Sequence, residues 1–269
     1  RKKMREKIIS IINQKGGVGK TTTVINLAAG LSLRGKKVLV IDLDPQGNAT
    51  TGLGLSNLAN SDKSIYSVLN GTKKISDVIE TTNFENLDLI TSNVDLSGLE
   101  VETAGDNRRA FILKEQIMAY LNDSSGMYSH ILIDCPPSLS LLTIMALVAS
   151  DSLLVPLQTE FFALEGVTQL MKTIERIKNN LNTELIIKGI LLTMYDKRNK
   201  LSSEVEKEAR EYFKDKVYRT IVPRNVRLSE APSHGIPVLL YDQTCPGSKS
   251  YFSFTEEFLN QEKIMESAA

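Results

Sequence analysis

The sequence has few cysteines and no long hydrophobic run. Only two cysteines occur among the 269 residues, Cys135 and Cys245, far apart and without the spacing of metal ligands. This pattern argues against a disulfide framework or a zinc ribbon and favours a reducing, cytosolic compartment. The apolar run behind the basic N-terminal residues, Ile8 to Ile12, is too short for a signal peptide or a membrane span.

The chain also lacks a net charge. Its 32 basic residues are matched by 32 acidic ones, so binding to a polyanion such as DNA would require a local basic patch. With 42% hydrophobic and 24% charged residues, the composition is that of an ordinary globular protein with a large core.

Apolar, β-branched runs alternate with helical patterns along the chain. Because this alternation is typical of a parallel sheet covered on both faces, we predict an α/β fold with one doubly wound, mostly parallel sheet in a single domain over residues 1–269. Residues 50–83 are richer in Ser, Asn and Gly and should form short helices and loops over the carboxyl edge of the sheet. The predicted strands are Ile8–Ile12, Val38–Ile41, Leu87–Ile90, Ile131–Ile133, Leu153–Val155, Ile186–Leu192 and Val238–Leu240.

A glycine-rich loop follows the first strand and precedes a helix that should begin near Lys20. Gly16, Gly17 and Gly19 allow the backbone N–H groups to surround a phosphate at the helix N-terminus. Lys20 would bind the β and γ oxygens, Thr21 would bind Mg²⁺ and Thr22 the α-phosphate. A glycine turn that merely precedes an amphipathic helix is the alternative, but the Gly-Lys-Thr-Thr order after a strand favours a P-loop for MgATP.

The loop departs from the usual P-loop pattern at two positions. Gln14 replaces the first glycine, and Lys15 lies where its side chain is poorly placed to reach its own phosphates beside Lys20. The segment Lys15-Gly16-Gly17-Val18-Gly19-Lys20-Thr21-Thr22 resembles the deviant Walker A motif of the ParA/MinD group. That resemblance implies a dimer with ATP sandwiched between the subunits, in which Lys15 contacts the partner's nucleotide.

Three carboxylates follow predicted strands whose carboxyl ends meet at the ligand-binding edge of the sheet. Asp42 and Asp44 alternate along the chain and should share a side, although a turn role before Pro45 is an alternative. The resemblance assigns Asp44 to the attacking water and Asp42 to the magnesium shell. Asp134 ends the apolar run Ile131–Ile133 as a Walker B aspartate and would hold Mg²⁺ through water.

Within that group the chain most resembles the ParA/Soj partition ATPases over nearly its whole length. The resemblance is carried by residues 42–50, 156–160 and 223–235, in addition to the P-loop. The last block resembles the loop that frames adenine, so Pro223 and Asn225 are candidates for contact with the base.

The segment from Tyr195 to Arg227 has a modest excess of basic residues, with ten basic and six acidic residues. Lysines and arginines that alternate with acids on a helix are usually only a solvated surface. Those expected in loops and turns are better candidates for phosphate contacts, namely Lys197, Arg198, Lys200, Arg219 and Arg227.

The family resemblance implies a DNA-partition switch. In this hypothesis an ATP-bound homodimer binds DNA without sequence preference, and a ParB-like partner triggers hydrolysis and release, in the cytoplasm at the nucleoid. Two alternatives are a membrane-cycling ATPase of the septum-positioning type and an electron-transfer ATPase with an iron–sulfur cluster. The acidic C-terminal residues 251–269 argue against the first, and the spacing of Cys135 and Cys245 argues against the second.

Overall fold

One eight-stranded sheet organises the part of the chain that the structure, a computed structural model, describes: residues 7–13, 15, 18–124 and 127–269. The strand order is β3-β4-β2-β5-β1-β6-β7-β8, and only β3 runs antiparallel to its neighbour. The strands are β1 (Lys7–Ile11), β2 (Val38–Asp42), β3 (Ile79–Thr81), β4 (Leu87–Ile90), β5 (His130–Asp134), β6 (Ser152–Gln158), β7 (Ile186–Tyr195) and β8 (Val217–Pro223).

Helices connect the parallel strands and cover both faces of the sheet, as the alternating sequence pattern predicts. In chain order they are α1 (Val18–Leu33), α2 (Asn48–Gly52), α3 (Ile65–Leu69), α4 (Ile75–Val78), α5 (Leu99–Glu102), α6 (Ile112–Ser124), α7 (Leu141–Ala149), α8 (Ala163–Asn180), α9 (Lys200–Phe213), α10 (Val226–Glu230), α11 (Val238–Tyr241) and α12 (Pro246–Ala268). No described helix is both long enough and apolar enough to cross a bilayer.

Two hydrophobic cores form because alternate strand residues point to opposite faces. In β1, Ile8 packs with α6, α7 and α8 on one face, whereas Ile9 and Ile11 pack with α1 and α12 on the other. The predicted doubly wound sheet is therefore confirmed.

The structure differs from the sequence prediction at three elements. The predicted strand at Val238–Leu240 is wrong, since these residues form the short helix α11 after Pro237, and so short an apolar run does not distinguish a strand from a helix. Strands β3 and β8 were not predicted, because charged and hydroxyl residues such as Arg219 and Thr220 interrupt their apolar pattern.

The C-terminal helix α12 belongs to the core. Tyr251, Phe254 and Phe258 are fully buried against α1 and β8, and Glu262 continues the same face toward the amino end of the sheet. Most of the apolar face of this helix is thus occupied within the chain.

Candidate nucleotide-binding site

The first turn of α1 lies at the carboxyl edge of the sheet, behind β1. Gly19, Lys20, Thr21 and Thr22 are all buried there. The first N–H groups of a helix have no partner within the helix, so this end of α1 can bind an anion. The predicted contacts of Gly16, Gly17 and the Val18 side chain lie outside the described residues.

The Lys20 ammonium forms a short ion pair with the carboxylate of Asp134, at the end of β5. Thr21 Oγ1 donates to the other oxygen of Asp134 at 2.9 Å. Burial lowers the pKa of Lys20, but the charge and hydrogen bond of Asp134 outweigh burial and raise it overall. The lysine, threonine and aspartate predicted to bind phosphate and metal therefore lie in direct contact.

Asp42 and Asp134 are direct neighbours across β2 and β5, and Asp42 turns its carboxylate toward the following loop. Its Oδ2 accepts from the N–H of Thr50 at 2.8 Å and from Thr50 Oγ1 at 2.7 Å, and Oδ1 accepts from the Asp44 N–H at 3.2 Å. Burial and the adjacent charge of Asp134 raise the pKa of Asp42 to about 7. Asp42 thus stabilises the loop between β2 and α2. This structural role is separate from the predicted role of Asp42 near the metal.

Asp44 lies beyond the end of β2, and its Oδ2 is 4.0 Å from Lys20 Nζ. Its Oδ1 accepts from the Gln46 N–H at 3.0 Å, which fixes the orientation of the carboxylate. Burial raises the pKa of Asp44, although the charge of Lys20 opposes the shift. The side chain therefore faces the same space as Lys20.

Lys15 lies on the outside of this site, in contrast to Lys20. Its side chain is 63% exposed, and its Nζ forms a 2.6 Å ion pair with Oε1 of Glu160, just beyond β6. The next two residues, Phe161 and Phe162, are among the most exposed aromatic side chains of the described chain, and Phe162 adopts the left-handed backbone conformation with φ 59°. A cavity of about 180 Å³ lies between Lys15, these rings and α8.

Two buried side-chain oxygens at the carboxyl ends of β7 and β8 have no hydrogen-bond partner within the described residues. One is Oδ1 of Asn225, the residue before α10, and the other is Oγ1 of Thr193 in β7. A Cβ on Gly19 would come within 3.1 Å of that Thr193 oxygen, so the position has little room for a larger residue. Pro223 ends β8 and is half-buried, two residues before Asn225.

The candidate DNA-binding residues lie in one loop and on three secondary-structure elements. Lys197 and Arg198 occupy the β7–α9 loop, Lys200 begins α9 and Arg227 lies in α10. The expectation that these residues lie in loops and turns is wrong for three of them, because Lys200 is in α9, Arg219 in β8 and Arg227 in α10. The Arg219 side chain is nevertheless exposed on this edge strand.

Nearby acids neutralise three of these five side chains. Arg198 pairs with Asp196 and Lys200 with Glu204, while Arg227 pairs with both Glu230 and Asp242. Within the described residues, Lys197 and Arg219 form no ion pair. These two basic side chains can therefore contact a DNA phosphate without first breaking an ion pair.

Sequence reasoning missed the roles of Thr50, Glu160 and Thr23. Glu160 was part of a family-like block but had no assigned function, and Thr50 was not connected with Asp42. Thr23 follows Thr21 and Thr22 directly and donates a hydrogen bond to the carbonyl of Gly19. The only sequence signal for these three residues was their position next to a motif. Their hydrogen-bond and ion-pair partners are either far away in the sequence or brought close only by the loop conformation.

The chain is similar in sequence to known proteins over nearly its whole length. The sequence model of a family described as an AAA domain matches residues 6–187. The chain is 49% identical to the "Chromosome partitioning protein ParA" of Caulobacter vibrioides, with 98% of this chain and 97% of that protein covered. It is also 49% identical to the "Sporulation initiation inhibitor protein Soj" of Bacillus subtilis, with 93% and 97% covered.

Solved structures share the whole architecture. Cobyrinic acid a,c-diamide synthase from Mycobacterium smegmatis, with bound ATP analogue and magnesium, superposes with a TM-score of 0.83 at 31% identity, and 96% of each chain is covered. The cell division ATPase MinD of Pyrococcus furiosus gives a TM-score of 0.77 at 27% identity, with 94% of this chain and 98% of that one covered. The chain belongs to the ParA/Soj family of chromosome-partitioning P-loop ATPases.

Proposed function

We propose that this chain is an ATP-dependent DNA-partition switch. It hydrolyses ATP to ADP and phosphate, dimerises around ATP, binds DNA without sequence preference as a dimer and is released when a ParB-like partner stimulates hydrolysis. The observation that carries the proposal is the buried contact of Lys20 and Thr21 with Asp134, with Asp44 on the same side. This arrangement suits phosphate and metal binding, and the near full-length relatives act in chromosome partitioning.

The residues of the site fit MgATP. The ammonium of Lys20 is already charged and would exchange Asp134 for phosphate oxygens, while Thr21 and Asp134 would hold the metal. Bound Mg²⁺ supplies neutralisation of the phosphate charge. The unpartnered Oδ1 of Asn225 can accept a hydrogen bond from the adenine amino group, and Pro223 would pack nearby.

Asp44 is the residue that we assign to the attacking water. Its carboxylate is fixed by the Gln46 N–H, and it faces Lys20 without a direct hydrogen bond to it. A water held by this carboxylate would therefore lie beside the phosphate-binding lysine. Asp42 stays a candidate for the metal shell, in addition to its contact with Thr50.

Dimer formation would use the surface around Lys15. An exposed lysine with one ion-pair partner can leave Glu160 for a more strongly charged phosphate of the partner subunit's nucleotide. The exposed rings of Phe161 and Phe162 lie beside it and would be covered in the same step. Two-fold symmetry would then double the basic surface formed by Lys197 and Arg219.

The buried apolar face of α12 supports the DNA switch over the membrane-cycling alternative. Tyr251, Phe254 and Phe258 pack in the core and are not available to a membrane, and the half-exposed Glu256 and Glu257 and the exposed Glu266 would be repelled by anionic lipid. We therefore place the protein in the cytoplasm, associated with the nucleoid.

The proposal is tested with Asp44→Ala protein, which should bind ATP without hydrolysing it. Gel filtration with MgATP should give a dimer and with MgADP a monomer. Fluorescence anisotropy with unrelated duplexes at several salt concentrations should show ATP-dependent binding with similar affinity for each sequence. Equal DNA affinity with MgADP, or a strong preference for one duplex, would refute the switch.

A further inference from the structure

A chain of two hydrogen bonds joins the C-terminal helix to the P-loop. Thr23 Oγ1 lies 2.6 Å from the carbonyl oxygen of Gly19 and 2.9 Å from the hydroxyl of Tyr251 on α12. Both hydroxyl-bearing residues are fully buried, so no water competes for these contacts. The three groups therefore form one fixed chain from α12 to the first turn of α1.

The donor of each hydrogen bond follows from the number of protons that the Thr23 and Tyr251 hydroxyls can supply. The Gly19 carbonyl can only accept, so the single hydroxyl proton of Thr23 points to it. Tyr251 must then donate its own proton to Thr23 Oγ1. Burial raises the pKa of the Tyr251 phenol, which keeps it a donor at neutral pH.

This chain acts on the nucleotide side through the planarity of the peptide bond. The Gly19 carbonyl and the Lys20 N–H belong to the same trans peptide unit, in which they point in opposite directions. Thr23 holds the Gly19 carbonyl so that it points toward the C-terminal end of α1. The Lys20 N–H therefore points out of the N-terminal end of this helix, where an anion binds.

The helix that carries Tyr251 has little freedom to shift. A Cβ on Gly30 of α1 would collide with the Thr255 side chain, one turn after Tyr251, so the two helices lie in close contact. Arg34 and Glu256 add a 2.6 Å ion pair at the end of α1. The Tyr251 hydroxyl is therefore presented to Thr23 by a rigid support.

We propose that Tyr251 is a positioning residue of the nucleotide site, which acts through Thr23 and Gly19 on the backbone N–H of Lys20. It contacts no nucleotide itself. The inference rests on the proposed nucleotide site and adds a residue from the opposite end of the chain to it. Loss of the phenol hydroxyl should loosen the first turn of α1 and weaken phosphate binding, while the packing of the ring is kept.

The test is the MgADP affinity of the full chain, measured by isothermal titration calorimetry for wild type, Tyr251→Phe and Thr23→Val. Each variant should raise the MgADP dissociation constant about fivefold, the effect of one buried hydrogen bond. The double variant should bind MgADP no more weakly than Thr23→Val alone, because Thr23→Val already removes both hydrogen bonds of the chain. The KM for ATP should rise in proportion, with kcat changed less than about twofold.

Tyr218→Phe is the matched control. Tyr218 is buried on β8, and its hydroxyl donates to Gln261 of α12 at 2.8 Å, so this variant also removes a tyrosine hydrogen bond to the same helix but far from Gly19. It should lower the unfolding temperature about as much as Tyr251→Phe and leave the MgADP affinity unchanged.

The possible failures are distinguishable. A wild-type protein that does not bind MgADP would refute the proposed site and this inference with it. Tight MgADP binding by wild type and equally tight binding by Tyr251→Phe would refute only the positioning role. So would an equal loss of affinity in Tyr218→Phe, because the effect would then follow general stability.

Discussion

Glu262 on α12 is a buried carboxylate that joins three strands, and its removal should destabilise the fold. Its oxygens accept from Lys188 Nζ at 2.6 Å, from Lys7 Nζ at 2.8 Å and from His130 Nε2 at 2.9 Å. We expect Glu262→Gln to lower the free energy of unfolding at pH 7 by about 3–5 kcal/mol, since the buried ammonium of Lys188 loses its counter-charge.

The upper limit of this loss in the free energy of unfolding follows from the ability of Lys188 to lose its proton. Burial lowers the pKa of Lys188, and the charge of Glu262 only partly restores it. Without Glu262 the lysine can become neutral, which at pH 7 costs about 4.6 kcal/mol from an unfolded pKa of about 10.4. The penalty should therefore not exceed about 5 kcal/mol.

Urea unfolding of Glu262→Gln, Lys188→Met and the double variant measures this coupling. The double variant should be more stable than Glu262→Gln alone, because no unpaired charge stays buried. Glu266→Gln is the control, since Glu266 also binds Lys7 at 2.6 Å but is 55% exposed and should contribute less than about 1 kcal/mol. A loss in Glu262→Gln no larger than in this control would refute the reasoning.

The same cluster predicts a dependence on pH. Burial alone would raise the pKa of Glu262, but the hydrogen bond of His130 and the charge of Lys188 lower it well below the usual value. A carboxylate with a depressed folded pKa stabilises the fold above its unfolded pKa of about 4.3, and this contribution is lost as the pH falls toward the folded value. Lys7 and Glu266 also face the cluster. In urea titrations the advantage of wild type over Glu262→Gln should shrink progressively as the pH falls below about 4.

Three further predictions concern the proposed switch. Lys15→Gln should keep MgADP affinity within about twofold while light scattering shows no ATP-dependent dimer; an unchanged dimer would exclude the role of Lys15 in the partner's site. Glu160→Gln frees Lys15 from its 2.6 Å ion pair and should speed dimerisation in stopped-flow light scattering, and a slower rate would contradict this. Arg219→Glu should reduce the slope of log DNA affinity against log salt by at least about 1.8 in a dimer that carries two copies, whereas Lys114→Glu, on α6 away from the β8 edge, should leave the slope unchanged.

The sequence predicts the sheet, and the contact of Lys20 and Thr21 with Asp134, because both depend on local patterns. The glycine loop, Lys20 and Thr21 lie together in the chain, and Asp134 follows an apolar strand whose carboxyl end must meet the same edge. The prediction of a strand at Val238–Leu240 was wrong because three apolar residues fit a helix as well as a strand.

Contacts between distant segments could not be predicted from such patterns. Glu262 is 132 residues from His130 and 74 from Lys188, and nothing near any of them indicates a partner. The core role of α12 did have a signal, since Tyr251, Phe254 and Phe258 recur at helical spacing. Their direction toward α1 depends on tertiary packing.

The burial of both cysteines makes the chain suitable for site-specific fluorescent labelling. Cys135 is fully buried, and burial raises the pKa of its thiol to about 12, while Cys245 is 7% exposed. Maleimide dyes react with the accessible thiolate, so the folded protein should leave both native thiols unlabelled. In Ser203→Cys, whose new thiol is exposed, this position would then carry the only dye, and energy transfer between donor- and acceptor-labelled protein would test the proposed association in real time.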